Sequence, residues 1–300
     1  MPTSPQPSRY IGRFAPTPTG PLHSGSLVAA LASFLDARSA QGKWLVRIEN
    51  SDPPREQPGA SSEILRALEA HHLYWDDHAT YQSQRTAIYK AATNTLLSQQ
   101  LAYYCRCSRQ QLKGHAIYPG TCRQQLTPAS SPTAIRVLCN DINIDFYDRI
   151  QGPQSHPMSR EVGDFIIYRK DDLPAYQLAT AVVDAEQGIT HVMRGCDLLD
   201  STPRQMYLHY LLGMKSPNYA HIPVLAKKDG QKLSKQNLAT PLNLKNCKGN
   251  LLQALSFLQQ TPPSSLKNHN IDEILNWASC HWSAKNIPPI AAIKKDHPDF

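Results

Sequence analysis

Three stretches of this sequence combine residue types and spacings that could do chemistry. The first is GRFAPTPTGPLHSGSL, residues 12–27. An apolar lead-in, a Gly/Pro-rich turn and a helix start bring free backbone N–H groups and the positive end of a helix dipole together, a geometry that binds anions. His23 stands at the mouth of that helix, where it could donate to a phosphate, with Ser24 and Ser26 as the expected capping residues. The second is GQKLSKQN, residues 230–237, in which Lys232 and Lys235 flank Ser234. Alone, it reads as a solvated basic turn. The third is CRCSRQQLKGHAIYPGTC, residues 105–122. Its three soft thiolates, Cys105, Cys107 and Cys122, suit Zn²⁺, which takes a fourth ligand to complete a tetrahedron. On chemistry alone His115 is the nominee, because imidazole is the commoner partner.

These residues need a scaffold, and the hydrophobic pattern supplies one. Tyr10 to Ala15 is strand-like, a helix is expected over about Ser26 to Ala40, and KWLVRIEN alternates apolar and charged residues as a strand does. Helical periodicity returns in SEILRALEAHHL and again from about Arg85 to Gln100. This strand–helix alternation predicts an α/β fold with a parallel sheet. Over 101–160 the cysteines and short strand-like runs AIRVLC and INIDFYD mark an insertion. The α/β pattern resumes with DFIIYRK, YQLATAVVDA, THVMRGCD and the helix TPRQMYLHYLLG. It closes on HIPVLAK, which leads into the lysine loop. The expected division is a disordered tail at 1–8, halves of one catalytic domain at 9–100 and 161–240 around the insertion, and a short helical region at 241–300.

Composition bounds the partners. A net charge of +7 permits a polyanionic partner without requiring one. No apolar run approaches a membrane span, and the first residues lack the pattern of a signal peptide, so the expected compartment is the cytoplasm. Seven cysteines, three of them crowded together, read there as a metal site rather than as disulfides. Nothing calls for an oligomer, and a monomer is expected.

The order of the first two stretches resembles the class I aminoacyl-tRNA synthetases. His23-Ser24-Gly25-Ser26 stands where that family has its HIGH signature, and Lys232-Leu233-Ser234-Lys235-Gln236 where it has KMSKS. RFAPTPTGPLHSG, RIENSDPPR and the run from Asp164 to Gln205 are similar to the glutamyl branch. Departures include Asn50 for an acidic residue, Asp172 for glycine and Ala185 for aspartate. The resemblance implies ATP-dependent activation of L-glutamate to an adenylate, with Mg²⁺ accompanying ATP. It implies a Rossmann-like sheet. Arg13 and the backbone around Ala15, Pro16 and Thr17 would hold the amino acid. Glu49 would take its ammonium group, and Arg194 with Tyr176 its γ-carboxylate. ATP would meet His23, Gly25, Lys232, Ser234 and Lys235, with His23 and Lys235 stabilising charge during displacement.

Within the insertion, C-x-C, ten residues, then Y-x₃-C is similar to the zinc motif of short glutamyl-synthetase paralogs, which implies Tyr118 as the fourth ligand where chemistry alone nominates His115. Only the 60 residues of 241–300 follow the lysine loop, too few for a large anticodon-gripping domain. The chain therefore resembles the truncated paralogs that place glutamate on the queuosine base at the wobble position of tRNA(Asp), which implies the anticodon loop of that tRNA as partner. Charging of a tRNA 3′ end, and a catalytically silent tRNA-binding role, are the alternatives.

Overall fold

A computed structural model describes residues 10–226 and 240–294. The expected tail and Lys232, Ser234 and Lys235 lie outside the described residues. The chain begins with β1 (Ile11–Phe14), α1 (Ser24–Ser39), β2 (Lys43–Ile48), α2 (Ala60–Ala70), β3 (Thr80–Tyr81) and α3 (Thr86–Ser98). β1, β2 and β3 form a parallel sheet in that order. Helix α1 is buried almost all round, as a run with alanines and leucines on every face must be. The alternation in KWLVRIEN misleads about exposure: from Trp44 onward β2 is buried on both faces, Arg47 included. Elements cover both sides of this central strand, so its charged residues point into a polar network instead of solvent.

The chain then leaves the sheet. β4 (Ala102–Cys105) and β5 (Ala134–Val137) pair antiparallel, and β6 (Asn143–Asp148) and β7 (Gly152–Pro157) make a hairpin. β8 (Ile166–Tyr168), which the pattern reading assigns to the resumed α/β sheet, instead pairs antiparallel with β5. It covers the open edge of that strand, and Ile167 and Tyr168 bury into the second hydrophobic core.

α4 (Tyr176–Glu186), β9 (His191–Gly195), α5 (Thr202–Leu211), β10 (Asn218–Ile222) and β11 (Val224–Ala226) follow. β9 and β10 are parallel, and the N–H of Thr190, just before β9, donates to the Ile11 carbonyl of β1 at 2.9 Å. β1 thus sits between β2 and β9, and the chain direction of winding changes beside it. α6 (Cys247–Phe257) and α7 (Ile271–His281) are the expected C-terminal helices, and β12 (Ala292–Lys294) pairs with β11. Leu251, Leu255, Ile274 and Ala278 from the two helices share one core with Leu31, Leu35 and Trp44.

One buried carboxylate ties these parts together. Asp36 on α1 accepts from the Tyr10 hydroxyl, from Arg149 through both oxygens at 2.6 and 3.0 Å, and from Trp282 Nε1 at 2.9 Å. Among the described residues no helix is long and apolar enough to cross a membrane.

Candidate active site

Ligand crevices of open parallel sheets lie outside the carboxyl ends of the strands, where the winding reverses. A cavity of about 420 Å³ lies there. Every described residue that the sequence nominates for glutamate or ATP lines it: Arg13, Ala15, Pro16 and Thr17 after β1, His23 and Gly25 at the start of α1, Glu49 after β2, Tyr176 on α4 and Arg194 on β9.

The turn after β1 is held from the side, since the Glu49 N–H donates to the Pro16 carbonyl and the Gln57 N–H to the Pro18 carbonyl, both at 2.9 Å. Gly20 completes it at φ 135°, a conformation that costs a side-chain residue strain. The helix start differs from expectation in one respect. His23 itself is the N-cap of α1, accepting the Ser26 N–H at Nδ1 (3.3 Å), with Nε2 3.0 Å from the Ser26 hydroxyl. Ser24 and Ser26 already lie within the helix, so the capping role passes to the residue in extended backbone before them. Pro241 forms a β-bridge with His23, and Val224 and Leu225 of β11 line the cavity. The segment carrying Lys232, Ser234 and Lys235 is therefore flanked on both sides by residues at this cavity, although those three lie outside the described residues.

Below the cavity runs a buried charge network that sequence reasoning missed. Tyr176, Thr180 and Asp184 recur at i, i+4 and i+8 on α4, one face of the helix. Asp184 takes Arg13 Nε at 3.2 Å and Arg47 Nη1 at 2.6 Å. Burial disfavours its charge, but the two guanidinium groups more than compensate and bring its pKa down to about 2. Thr180 Oγ1, Gln82 Nε2 and Arg47 Nη2 all donate to Glu49 Oε1, at 3.3, 3.4 and 3.4 Å. Burial raises the Glu49 pKa despite its arginine neighbours. A cationic ligand in the cavity would favour the charged form. Burial also keeps the Tyr176 hydroxyl protonated, with the Glu49 charge adding to that.

Three arginines line the cavity, and their partners differ. Arg13 pairs with Asp184 and Arg55 with Asp52. Arg194, only 5% exposed, has no carboxylate within ion-pair distance among the described residues. Its Nε donates to His221 Nε2 at 3.0 Å, and its Nη2 to Thr202 Oγ1 at 2.9 Å and the Leu198 carbonyl at 3.3 Å. Its Nη1 is buried with no hydrogen-bond partner. A buried cation with an idle donor on a cavity wall is matched to an anionic ligand.

Two of the departures noted in the sequence, Asn50 and Asp172, leave this geometry intact. Asn50 turns to the 82–85 segment, donating to the Ser83 hydroxyl at 2.8 Å and accepting the Ser83 N–H at 3.0 Å. Asp172 adopts φ 59° in an exposed turn, the left-handed conformation for which the expected glycine is suited and which aspartate tolerates.

The cysteine stretch forms a separate centre. The sulfurs of Cys105, Cys107 and Cys122 lie within 4.8 Å of one another, a group that could hold a metal ion. Tyr118 Oη is 3.5 Å from both Cys105 Sγ and Cys107 Sγ, and accepts the Cys122 N–H at 2.9 Å. His115 is exposed and outside the group. Arg136 donates from Nε to Cys105 Sγ at 3.3 Å and lies 4.0 Å over the Tyr118 ring, a cation placed to support negative ligands. Burial raises the Tyr118 hydroxyl well above the phenol range. Burial also opposes ionisation of Cys122, but hydrogen bonds from Tyr118, the Arg106 backbone, Cys107 and Cys105 together outweigh it and bring that thiol to about 7.

Residues 11–263 match the family described as tRNA synthetases class I (E and Q), catalytic domain, and the chain belongs to that family. The glutamate-tRNA synthetase of Elizabethkingia anophelis has the same fold, at a TM-score of 0.81 and 24% identity over 97% of this chain and 69% of its own. Much nearer in sequence is the glutamyl-Q tRNA(Asp) synthetase of Thiobacillus denitrificans, 50% identical over 97% of this chain and 99% of that one. The protein of the same name from Pseudomonas aeruginosa strain PAO1 is 49% identical over 96% of this chain and 99% of its own.

Proposed function

We propose that this protein activates L-glutamate with ATP and transfers the glutamyl group to the queuosine base at the wobble position of tRNA(Asp). The observation that carries this is the pairing, across one cavity, of the uncompensated Arg194 cation with the buried Glu49 carboxylate. A ligand bearing both a carboxylate and an ammonium group fits between them. Arg194 and the Tyr176 hydroxyl take the γ-carboxylate, Glu49 takes the ammonium through Oε2, and Arg13 with the Ala15–Thr17 backbone closes the remaining side. The α-carboxylate is then directed to the start of α1, where His23 and Gly25 receive ATP together with Lys232, Ser234 and Lys235. An α-carboxylate oxygen attacks the α-phosphorus, the bond to the β-phosphate oxygen breaks, and pyrophosphate leaves. His23 and Lys235 stabilise the charge that builds on the phosphates, a role needing positioning and electrostatics without a covalent nucleophile. Mg²⁺ accompanies ATP as counter-charge. Full-length similarity to proteins named for glutamyl transfer to tRNA(Asp) supports queuosine as the acceptor.

Residues 101–160 are read as a zinc-binding insertion between the halves at 9–100 and 161–240, with 241–300 as the helical C-terminal region. Ligands about 2.3 Å (sulfur) and about 2.0 Å (oxygen) from Zn²⁺ at tetrahedral angles lie about 3.5–3.8 Å apart. The 3.6 Å between Cys107 Sγ and Cys122 Sγ and the 3.5 Å from Tyr118 Oη fit that size. Cys105, Cys107, Tyr118 and Cys122 would hold the ion, which supplies a cross-link once thiols and phenol lose their protons. A cytoplasmic monomer completes the reading.

The test is incubation with labelled glutamate, ATP and tRNA(Asp) with or without queuosine. Label is expected only on the queuosine-containing tRNA. Equal labelling of queuosine-free tRNA would shift the assignment to 3′-end charging, and absence of glutamate-dependent pyrophosphate exchange would support a silent binding protein.

A further inference from the structure

Arg194 is held by a buried chain that starts in the hairpin of the inserted region. Asp148, at the end of β6 and fully buried, accepts at Oδ1 the backbone N–H groups of His221, Ile150 and Gln151, at 3.1, 3.0 and 2.9 Å. Its Oδ2 is 2.6 Å from His221 Nδ1. The imidazole of His221, also fully buried, presents Nε2 to Arg194 Nε at 3.0 Å and to Thr202 Oγ1 at 3.2 Å. The tautomer follows from the donors. Arg194 Nε always carries hydrogen, so Nε2 must accept. The Thr202 hydroxyl, which accepts from Arg194 Nη2, keeps its hydrogen available for the same Nε2, and an unprotonated Nε2 suits it as acceptor. The ring proton is therefore on Nδ1, donated to Asp148.

We infer that Asp148 and His221 are positioning residues for the amino-acid site: the pair presents an unprotonated Nε2 that fixes the Arg194 fork and leaves its charge uncancelled. This rests on the assignment of Arg194 to the glutamate carboxylate. A carboxylate placed directly on Nε would hold the guanidinium equally well but would neutralise it, as Asp184 does Arg13. An interposed imidazole transmits the orientation and keeps the negative charge one ring further away, where its attraction is weaker. Two of the three guanidinium nitrogens are thereby occupied by neutral acceptors, and Nη1 alone is left for a ligand.

Asp148→Asn is the decisive variant. The three backbone N–H groups claim the side-chain oxygen, so the new amide NH₂ faces Nδ1, and the ring must move its proton to Nε2, against the Arg194 N–H. In glutamate-dependent pyrophosphate exchange, D148N is expected to raise KM for glutamate on the order of 10- to 100-fold while KM for ATP stays within about twofold. His221→Gln, which keeps an acceptor near Nε2, should retain more glutamate affinity than His221→Leu. Wild-type KM for glutamate in D148N, an equal rise in both KM values, or a D148N protein that fails to fold would overturn the inference by making the pair structural. Wild-type protein without glutamate-dependent exchange would instead sink the glutamate assignment itself, and the inference with it.

Discussion

The cavity and the cysteine centre are built on opposite plans. The cysteine centre takes its groups from 18 consecutive residues, 105–122, and its small cluster of Tyr103, Cys105, Tyr118 and Cys122 has little apolar mass of its own. The cavity takes its groups from positions 13 to 194, each at or just beyond the end of a strand or helix anchored in a hydrophobic core. The cavity's charges are preorganised by ion pairs and hydrogen bonds, whereas the cysteine centre gathers groups that would repel one another once ionised, and a metal ion would offset that repulsion. Local spacing can encode a metal site, but a binding cavity of this kind exists only once the fold does.

The largest effect should come from Arg194, the one cavity arginine without a carboxylate partner among the described residues. Arg194→Ala is expected to lower kcat/KM for glutamate by about 100- to 1,000-fold, with KM for ATP nearly unchanged, in the pyrophosphate-exchange assay. Arg194→Lys should recover little of it, because an ammonium cannot reproduce the fork held by His221 and Thr202. At the cysteine centre the readout is metal. Cys122→Ser and Tyr118→Phe should each weaken zinc binding by about 10- to 100-fold, measured by competition with a chelator. Exchange activity should change far less, because the two sites share no residue. A collapse of exchange in Tyr118→Phe would break the contrast between them.

The third effect is on stability. The Asp184 pKa lies at about 2 in the fold against an ordinary 3.8. A depressed folded value stabilises the fold above the unfolded pKa, and that stabilisation is lost as pH falls through the folded one. Between about pH 4 and pH 2 the protein should lose about 2 kcal/mol from this group, read from urea midpoints, and Asp184→Asn should flatten that slope. The smallest effect is expected for His115→Ala, whose zinc content and affinity should match wild type. A loss there would return His115 to the ligand set and make Tyr118 a neighbour.

What the sequence made legible follows the same division. The long helices and the strands β1, β2, β5, β6, β9 and β10 were readable from periodicity, while the short strands β3, β4, β7 and β12 were not; the cysteine spacing pointed to a metal without help. Glu49 and Arg194 were readable only through family resemblance, since each alone is an ordinary charged residue near a strand end. Arg47 was hidden because alternation cannot tell a solvent face from a covered one. His23 as a cap was hidden because imidazole is a rare capping group. Asp148 and His221, 73 residues apart, carry no local signal at all. The repeat Tyr176, Thr180, Asp184 was visible, but its meaning depended on the arginines that the fold brings against it.

Asp36 has a consequence for how the chain folds. Its three side-chain partners lie 26, 113 and 246 residues away in sequence. Contacts that distant close large loops, and their entropy must be overcome before the contact contributes anything. Helix α1 therefore cannot reach its final burial while the hairpin and the region around Trp282 are still free. The carboxylate is thus a late contact for the core around α1, whereas the second core, drawn from residues 89–208, includes neither Asp36 nor Trp282. The difference in refolding fluorescence between the wild type and Trp282→Phe, which separates Trp282 from Trp44, Trp75 and Trp277, should lag behind the appearance of helical signal.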